Sequence, residues 1–139
     1  MRILGIDYGT KRIGIAISDP LGITASGVAV LGKGENFDQD ILEIKKIIKK
    51  YEGVDQIVVG LPKTLRGEVG FAASAVLEFV GALKKEFKLA VETWDERLST
   101  AEAEKMLIAA GLSREKRKKV IDQSAAANIL QGYLDRKRK

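Results

Sequence analysis

Branched apolar residues alternate with very small ones in Ile13-Gly14-Ile15-Ala16-Ile17. This period of two predicts a strand with one packed face and one face open to close approach. Ahead of it, the apolar run Ile3-Leu4-Gly5-Ile6 is ended by Asp7-Tyr8-Gly9, a strand running into a turn. Asp19-Pro20-Leu21-Gly22 marks the next turn, and residues 23 to 31, through Val28 and Val30, read as a third strand. The tight spacing of the three predicts an antiparallel meander.

From Asn36 to Tyr51 the period lengthens: Ile41, Ile44, Ile47 and Ile48 recur at helical spacing, with Lys45, Lys46, Lys49 and Lys50 between them. Gly53 ends that helix. Gln56-Ile57-Val58-Val59-Gly60-Leu61-Pro62 is a branched run of the kind buried on both faces of a sheet, a central fourth strand. A glycine-containing loop from Lys63 to Gly70 precedes a second helix over Phe71 to Phe87, and Leu89 to Trp94 supplies a fifth strand. Ser99-Thr100-Ala101-Glu102 reads as a helix start, with Gly111 just past the helix end. The basic segment 113 to 120 is a connection or helix extension, and a last helix runs from Asp122 to Leu134. The order βββαβαβαα describes an α/β fold, expected to be one domain over residues 1–139.

Two absences narrow the chemistry, because a chain without His or Cys has no imidazole base, thiolate nucleophile or Cys/His zinc site. Carboxylates, amines, hydroxyls and a hard metal ion remain. A hydrophobic fraction of 45% and a mean hydropathy of -0.05 are those of a soluble globular chain. No apolar run reaches the roughly 20 residues of a membrane span, and Met1-Arg2 leads straight into strand-like sequence, so the expected location is the cytoplasm, with no membrane partner. A net charge of +5, with Arg114, Lys116, Arg117, Lys118 and Lys119 in one cluster and residues 136 to 139 in another, favours a polyanionic partner.

The carboxylates fall at suggestive places. Asp7 lies at the carboxyl end of the first strand, where open sheets commonly carry their sites, with Gly9 and Gly14 leaving room beside it and Thr10, Lys11 and Arg12 adding donors. Shaping the turn before Gly9 is the plainer role for Asp7. Asp95 and Glu96 end the fifth strand, where helix-start chemistry would explain them equally well. Alternation allows at most one of the two to share a site with Asp7. Asp122 is placed to cap the last helix, yet it also shares a stripe with Ala126, Ile129 and Tyr133. Three carboxylates brought together would repel one another unless a cation neutralised them. Mg²⁺ or Mn²⁺ is the natural choice, and a two-metal site could hydrolyse a phosphodiester without histidine.

Four motifs in order, Ile6-Asp7-Tyr8-Gly9-Thr10-Lys11-Arg12-Ile13-Gly14-Ile15-Ala16, Val58-Val59-Gly60-Leu61-Pro62, Asp95-Glu96-Arg97-Leu98-Ser99-Thr100 and Asp122-Gln123-Ser124-Ala125-Ala126-Ala127-Asn128-Ile129-Leu130-Gln131, carry a family resemblance over nearly the whole chain. The sequence resembles the YqgF (RuvX) family, Holliday junction resolvase-like and pre-16S rRNA nucleases of the RNase H-like superfamily. The resemblance implies a five-stranded mixed sheet ordered 3-2-1-4-5 and flanked by helices. It implies that Asp7, Glu96 and Asp122 are the catalytic, metal-holding acids. Related RuvC resolvases carry an acid near the end of strand four; Gly60-Leu61-Pro62 has none, so the acid must come from strand five. Ser99 stands where the family often has Thr. The implied activity is a metal-dependent nuclease maturing the 5′ end of pre-16S rRNA, with Holliday junction DNA as a second substrate. Gly9, Thr10, Lys11, Arg12, Lys63, Arg66 and Arg97 would line the nucleic-acid path. A monomer and a homodimer both fit.

Two other readings stand beside this one. A non-catalytic nucleic-acid-binding module would use the basic C-terminal third. Asp7-Tyr8-Gly9-Thr10 also resembles the phosphate loop of actin-like ATPases and sugar kinases, which bind nucleotide between two lobes where this chain supplies one.

Overall fold

The computed structural model describes residues 2–62, 70–96, 111, 113 and 125–138. Strands β1 (Arg2–Tyr8), β2 (Arg12–Ser18), β3 (Ala25–Gly32), β4 (Val54–Leu61) and β5 (Ala90–Asp95) form one sheet in the order β3-β2-β1-β4-β5. Helix α1 (Phe37–Lys50) links β3 to β4, α2 (Phe71–Glu86) links β4 to β5, and α3 (Ala125–Arg138) follows. The first three strands pair antiparallel, while β4 runs parallel to β1 and β5 parallel to β4. The mixed sheet and its order are those the family resemblance implied. The expected helix over 99–110, the basic stretch 114–119 and Asp122 lie outside the described residues. Gly111 adopts φ +79, the left-handed conformation suited to its expected place just past a helix end.

The sheet has two unlike faces, and strand alternation makes them so. Leu4, Ile6 and Tyr8 of β1, Ile13, Ile15 and Ile17 of β2, and Ile57, Val59 and Leu61 of β4 point to one side, where they pack with Ile41 and Ile44 of α1 and Val76, Phe79 and Leu83 of α2. Each fully buried side chain of this size contributes roughly 1.5–3 kcal/mol. Tyr8 stacks on Phe79 with ring centroids 4.1 Å apart, and Phe37 packs on the edge of Tyr8. Asn36 caps α1 by accepting a hydrogen bond from the Gln39 N–H at 3.0 Å, where the change of period predicted the helix to start.

The opposite face carries Gly5, Gly14, Ala16, Val58 and Gly60, and α3 lies on it through Ala126, Ile129, Leu130 and Leu134. The small residues set how closely the helix approaches. A Cβ added to Gly5 would stand 2.8 Å from Leu130 Cβ and 3.3 Å from the Ala126 carbonyl. Polar contacts fix the helix at both sides of the sheet. Gln131 spans the chain entering β3, accepting from the Ala25 N–H and donating to the Ile23 carbonyl, each at 2.9 Å. On the other side the Tyr133 hydroxyl accepts from Gln56 Nε2 at 2.7 Å and donates to Glu92 Oε2 at 2.9 Å.

Strand β3 departs from simple alternation. Ile15 pairs with Ala29 but Ala16 pairs with Gly27, so β3 holds one extra residue at Val28. Val28 therefore packs on the α1/α2 side, whereas Val30, opposite Gly14, turns to the α3 side and is 66% exposed. A period of two cannot reveal this shift.

Candidate active site

Asp7 occupies the next-to-last position of β1 and shares the α3 side of the sheet with Gly5. Its antiparallel partner is Gly14, and on its other side it stands one residue beyond the Ile6–Val59 pair, level with the end of β4. At the next strand Leu61 pairs with Asp95, so Asp95 follows Leu61 toward the α1/α2 side. Glu96 continues the alternation of Glu92 and Trp94, both of which touch Tyr133 on α3. Of the two adjacent acids, Glu96 is the one that meets Asp7. The two side chains are hydrogen-bonded.

The glycine at the end of β4 makes this contact possible. A Cβ on Gly60 would stand 2.7 Å from Glu96 Oε1, 2.9 Å from Glu96 Cγ and 2.5 Å from Ile129 Cδ1. Glu96 thus reaches across β4 through space that any other residue there would occupy. Along the chain, Gly60 stands out only as the place of a missing acid. A glycine inside an otherwise branched strand is the signal for close approach, and here what approaches is the carboxylate itself.

Burial pushes the Glu96 carboxyl up to about 8, and the hydrogen bond to Asp7, the Asp7 charge and the Asp95 charge push in the same direction. Near neutral pH one proton is shared across the pair, with protonated Glu96 donating to Asp7. Paired hard oxygen donors whose repulsion a cation would relieve suit Mg²⁺ or Mn²⁺. Among the described residues the acids come together as this pair and no group of three forms. Asp122 lies outside the described residues.

This proton has a consequence for stability. Between about pH 4.5 and about 8 Glu96 is protonated in the folded chain and ionised in the unfolded one, so rising pH favours unfolding across that window and has no further effect above it. Melting in the presence of a chelator should therefore show the wild type losing stability over this window relative to Glu96→Gln, which has no carboxyl to titrate. Parallel pH profiles would contradict the assignment.

The turn after β1 brings the donors alongside. The Gly9 N–H donates to the Arg12 carbonyl at 2.9 Å, and a Cβ on Gly9 would meet that same oxygen at 2.8 Å, so the turn requires glycine. Thr10, Lys11 and Arg12 are exposed on it. Arg12 and Asp7 line one cavity of about 510 Å³, together with Gly14 and the start of α3. Lys63, Arg66 and Arg97, expected on the same path, lie outside the described residues.

The model of the RuvX family, described as Holliday junction resolvase, matches residues 1–136. A protein of Desulforamulus reducens named "Putative pre-16S rRNA nuclease" is 53% identical over 135 residues, covering 97% of both chains. One of the same name from Geobacillus kaustophilus is 53% identical over 139 residues, covering 99% of this chain and all of the relative. Among solved structures, Thermus thermophilus RuvC in complex with a Holliday junction substrate aligns with a TM-score of 0.58 at 15% identity, covering 95% of this chain and 91% of that one. That likeness establishes the RNase H-like fold. Among the described residues no helix is long and apolar enough to cross a membrane.

Proposed function

The chain belongs to the RuvX family, and on that premise we propose that it is a divalent-metal-dependent endonuclease that processes the 5′ end of pre-16S rRNA, with Holliday junction DNA as a second substrate. The observation that carries the reading is the Asp7–Glu96 pair, assembled across Gly60 from the ends of two strands.

Asp7 and Glu96, with Asp122 as the third acid, would hold Mg²⁺ or Mn²⁺. The chemistry supplied there would be a lowered pKa for water and stabilisation of the leaving oxygen of a phosphodiester. The protein's own residues do the rest. Partial burial keeps bulk water from screening the two carboxylates and fixes the direction in which they face. The turn around Gly9 presents Thr10, Lys11 and Arg12 to a polyanionic strand, and Lys63, Arg66 and Arg97, outside the described residues, would add further cations for it. Gly60 lets Glu96 cross β4 to Asp7, and Gly14 lets the start of α3 lie close beside Asp7.

Purified protein should cleave precursor rRNA in Mg²⁺ or Mn²⁺ and lose that activity in a chelator, with four-way DNA junctions assayed in parallel. Salt-sensitive binding to both substrates without any metal-dependent cleavage would instead identify a binding module.

A further inference from the structure

The cavity that begins at Asp7 extends well beyond the acids. It continues over the α3 side of β2 and β3, past Gly14 and Gly27 to Val30, and its volume of about 510 Å³ lies in the range of pockets that enclose a small organic molecule. Its lining includes the Asp7 carboxylate and exposed Arg12, whose guanidinium has no partner among the described residues. The rest of the wall is apolar. Val30, turned to this side by the extra residue in β3, leaves two-thirds of its surface uncovered. Gly27, opposite Ala16, adds no side chain, and a Cβ built on it meets nothing within 4 Å.

A slot whose wall is apolar apart from a metal-suited acid and the Arg12 cation has the polarity of a nucleotide, with an apolar base and an anionic phosphate. We propose that this cavity receives one unstacked nucleoside beside the scissile phosphate, its base against Val30 and the Gly27 backbone and its phosphate at Arg12. The inference rests on the nuclease reading and narrows it: the bond cleaved lies in an unpaired stretch, because a base held in a duplex stack cannot enter the slot. Apart from Asp7 and Arg12, which face the phosphate, the lining side chains carry no hydrogen-bonding group, so the base is gripped by shape and contact area and tolerance of base identity follows.

Gly27 supplies the test, since a Cβ there meets nothing within 4 Å and a larger side chain would extend over the wall of the cavity. Short RNA oligonucleotides carrying a single abasic ribose, moved one position at a time, are cleaved in Mn²⁺ by the wild type, Gly27→Leu and Gly27→Trp, whose melting temperatures should match. For the wild type, one abasic position adjoining the cut should lower kcat/KM about ten- to hundredfold. The two variants should show the same loss on the intact oligonucleotide and no longer distinguish the abasic one. Equal cleavage of every abasic substrate by the wild type, or wild-type cleavage by Gly27→Trp, would overturn the proposal. A chelated binding assay with oligonucleotides bearing a fluorescent purine analogue separates the two layers. If the wild type cleaves nothing, the nuclease reading fails, while a fluorescence change lost in Gly27→Trp still supports the slot and an identical change in both proteins overturns it.

Discussion

Asp7→Asn is expected to lower single-turnover cleavage about a thousandfold or more while leaving the protein at least as stable as the wild type. The loss follows from removing one charge of the pair that would hold the metal, where several kcal/mol of transition-state stabilisation depends on the ion. The retained stability follows from the same geometry. In metal-free protein the Asp7 carboxylate accepts the hydrogen bond of protonated Glu96, and its charge opposes Glu96 ionisation and helps push that carboxyl up to about 8. An amide of the same shape relieves that repulsion, so the variant should melt at or above the wild-type temperature at pH 8 in chelator. Cleavage assays and melting curves on one preparation check both halves. Inactivity accompanied by a large fall in melting temperature would point to a structural role for Asp7 in the turn.

Gly60→Ala should separate the site from the fold in a second way. The added methyl would meet Glu96 Oε1 at 2.7 Å and Ile129 Cδ1 at 2.5 Å, both of them ends of flexible side chains that can move aside. Overpacking of this kind costs about 1–3 kcal/mol. Glu96, however, moves away from Asp7, and cleavage should drop about a hundredfold or more, since misplacement of a catalytic group by about 1 Å is enough for such a loss. With Glu96 displaced toward solvent, the pH-dependent melting attributed to it should flatten. Unchanged cleavage by Gly60→Ala would mean that the contact across β4 is dispensable.

The sequence made the sheet legible because each strand carries a pattern that only one environment satisfies. Ile13, Ile15 and Ile17 alternate with Gly14 and Ala16, and the structure buries the isoleucines under α1 and α2 while the small residues admit α3. Asn36 and the isoleucine spacing located α1 to within a residue of its ends. What stayed hidden depends on the third dimension. Alternation permitted either Asp95 or Glu96 to face Asp7, and only the pairing of Leu61 with Asp95 decides it. The extra residue in β3 reverses the facing of Val30 relative to Val28, and no local pattern announces it. Gly60 was visible as a glycine in a strand, but the identity of its visitor required knowing that β5 lies beside β4 and ends level with it. Gln131 and Tyr133, whose hydrogen bonds cross 106 and 77 residues of sequence, hold α3 in place through contacts that no spacing rule connects.

The central claim is that Asp7 and Glu96 hold one divalent cation between them. Calorimetric titration of Mn²⁺ into the wild type, Asp7→Asn and Glu96→Gln at about pH 8, where the Glu96 proton is readily displaced, tests it most directly. Saturable binding by the wild type, weakened about tenfold or more in each single variant, is the expected result. Wild-type affinity retained in both variants, or no Mn²⁺ binding by the wild type at all, would contradict it.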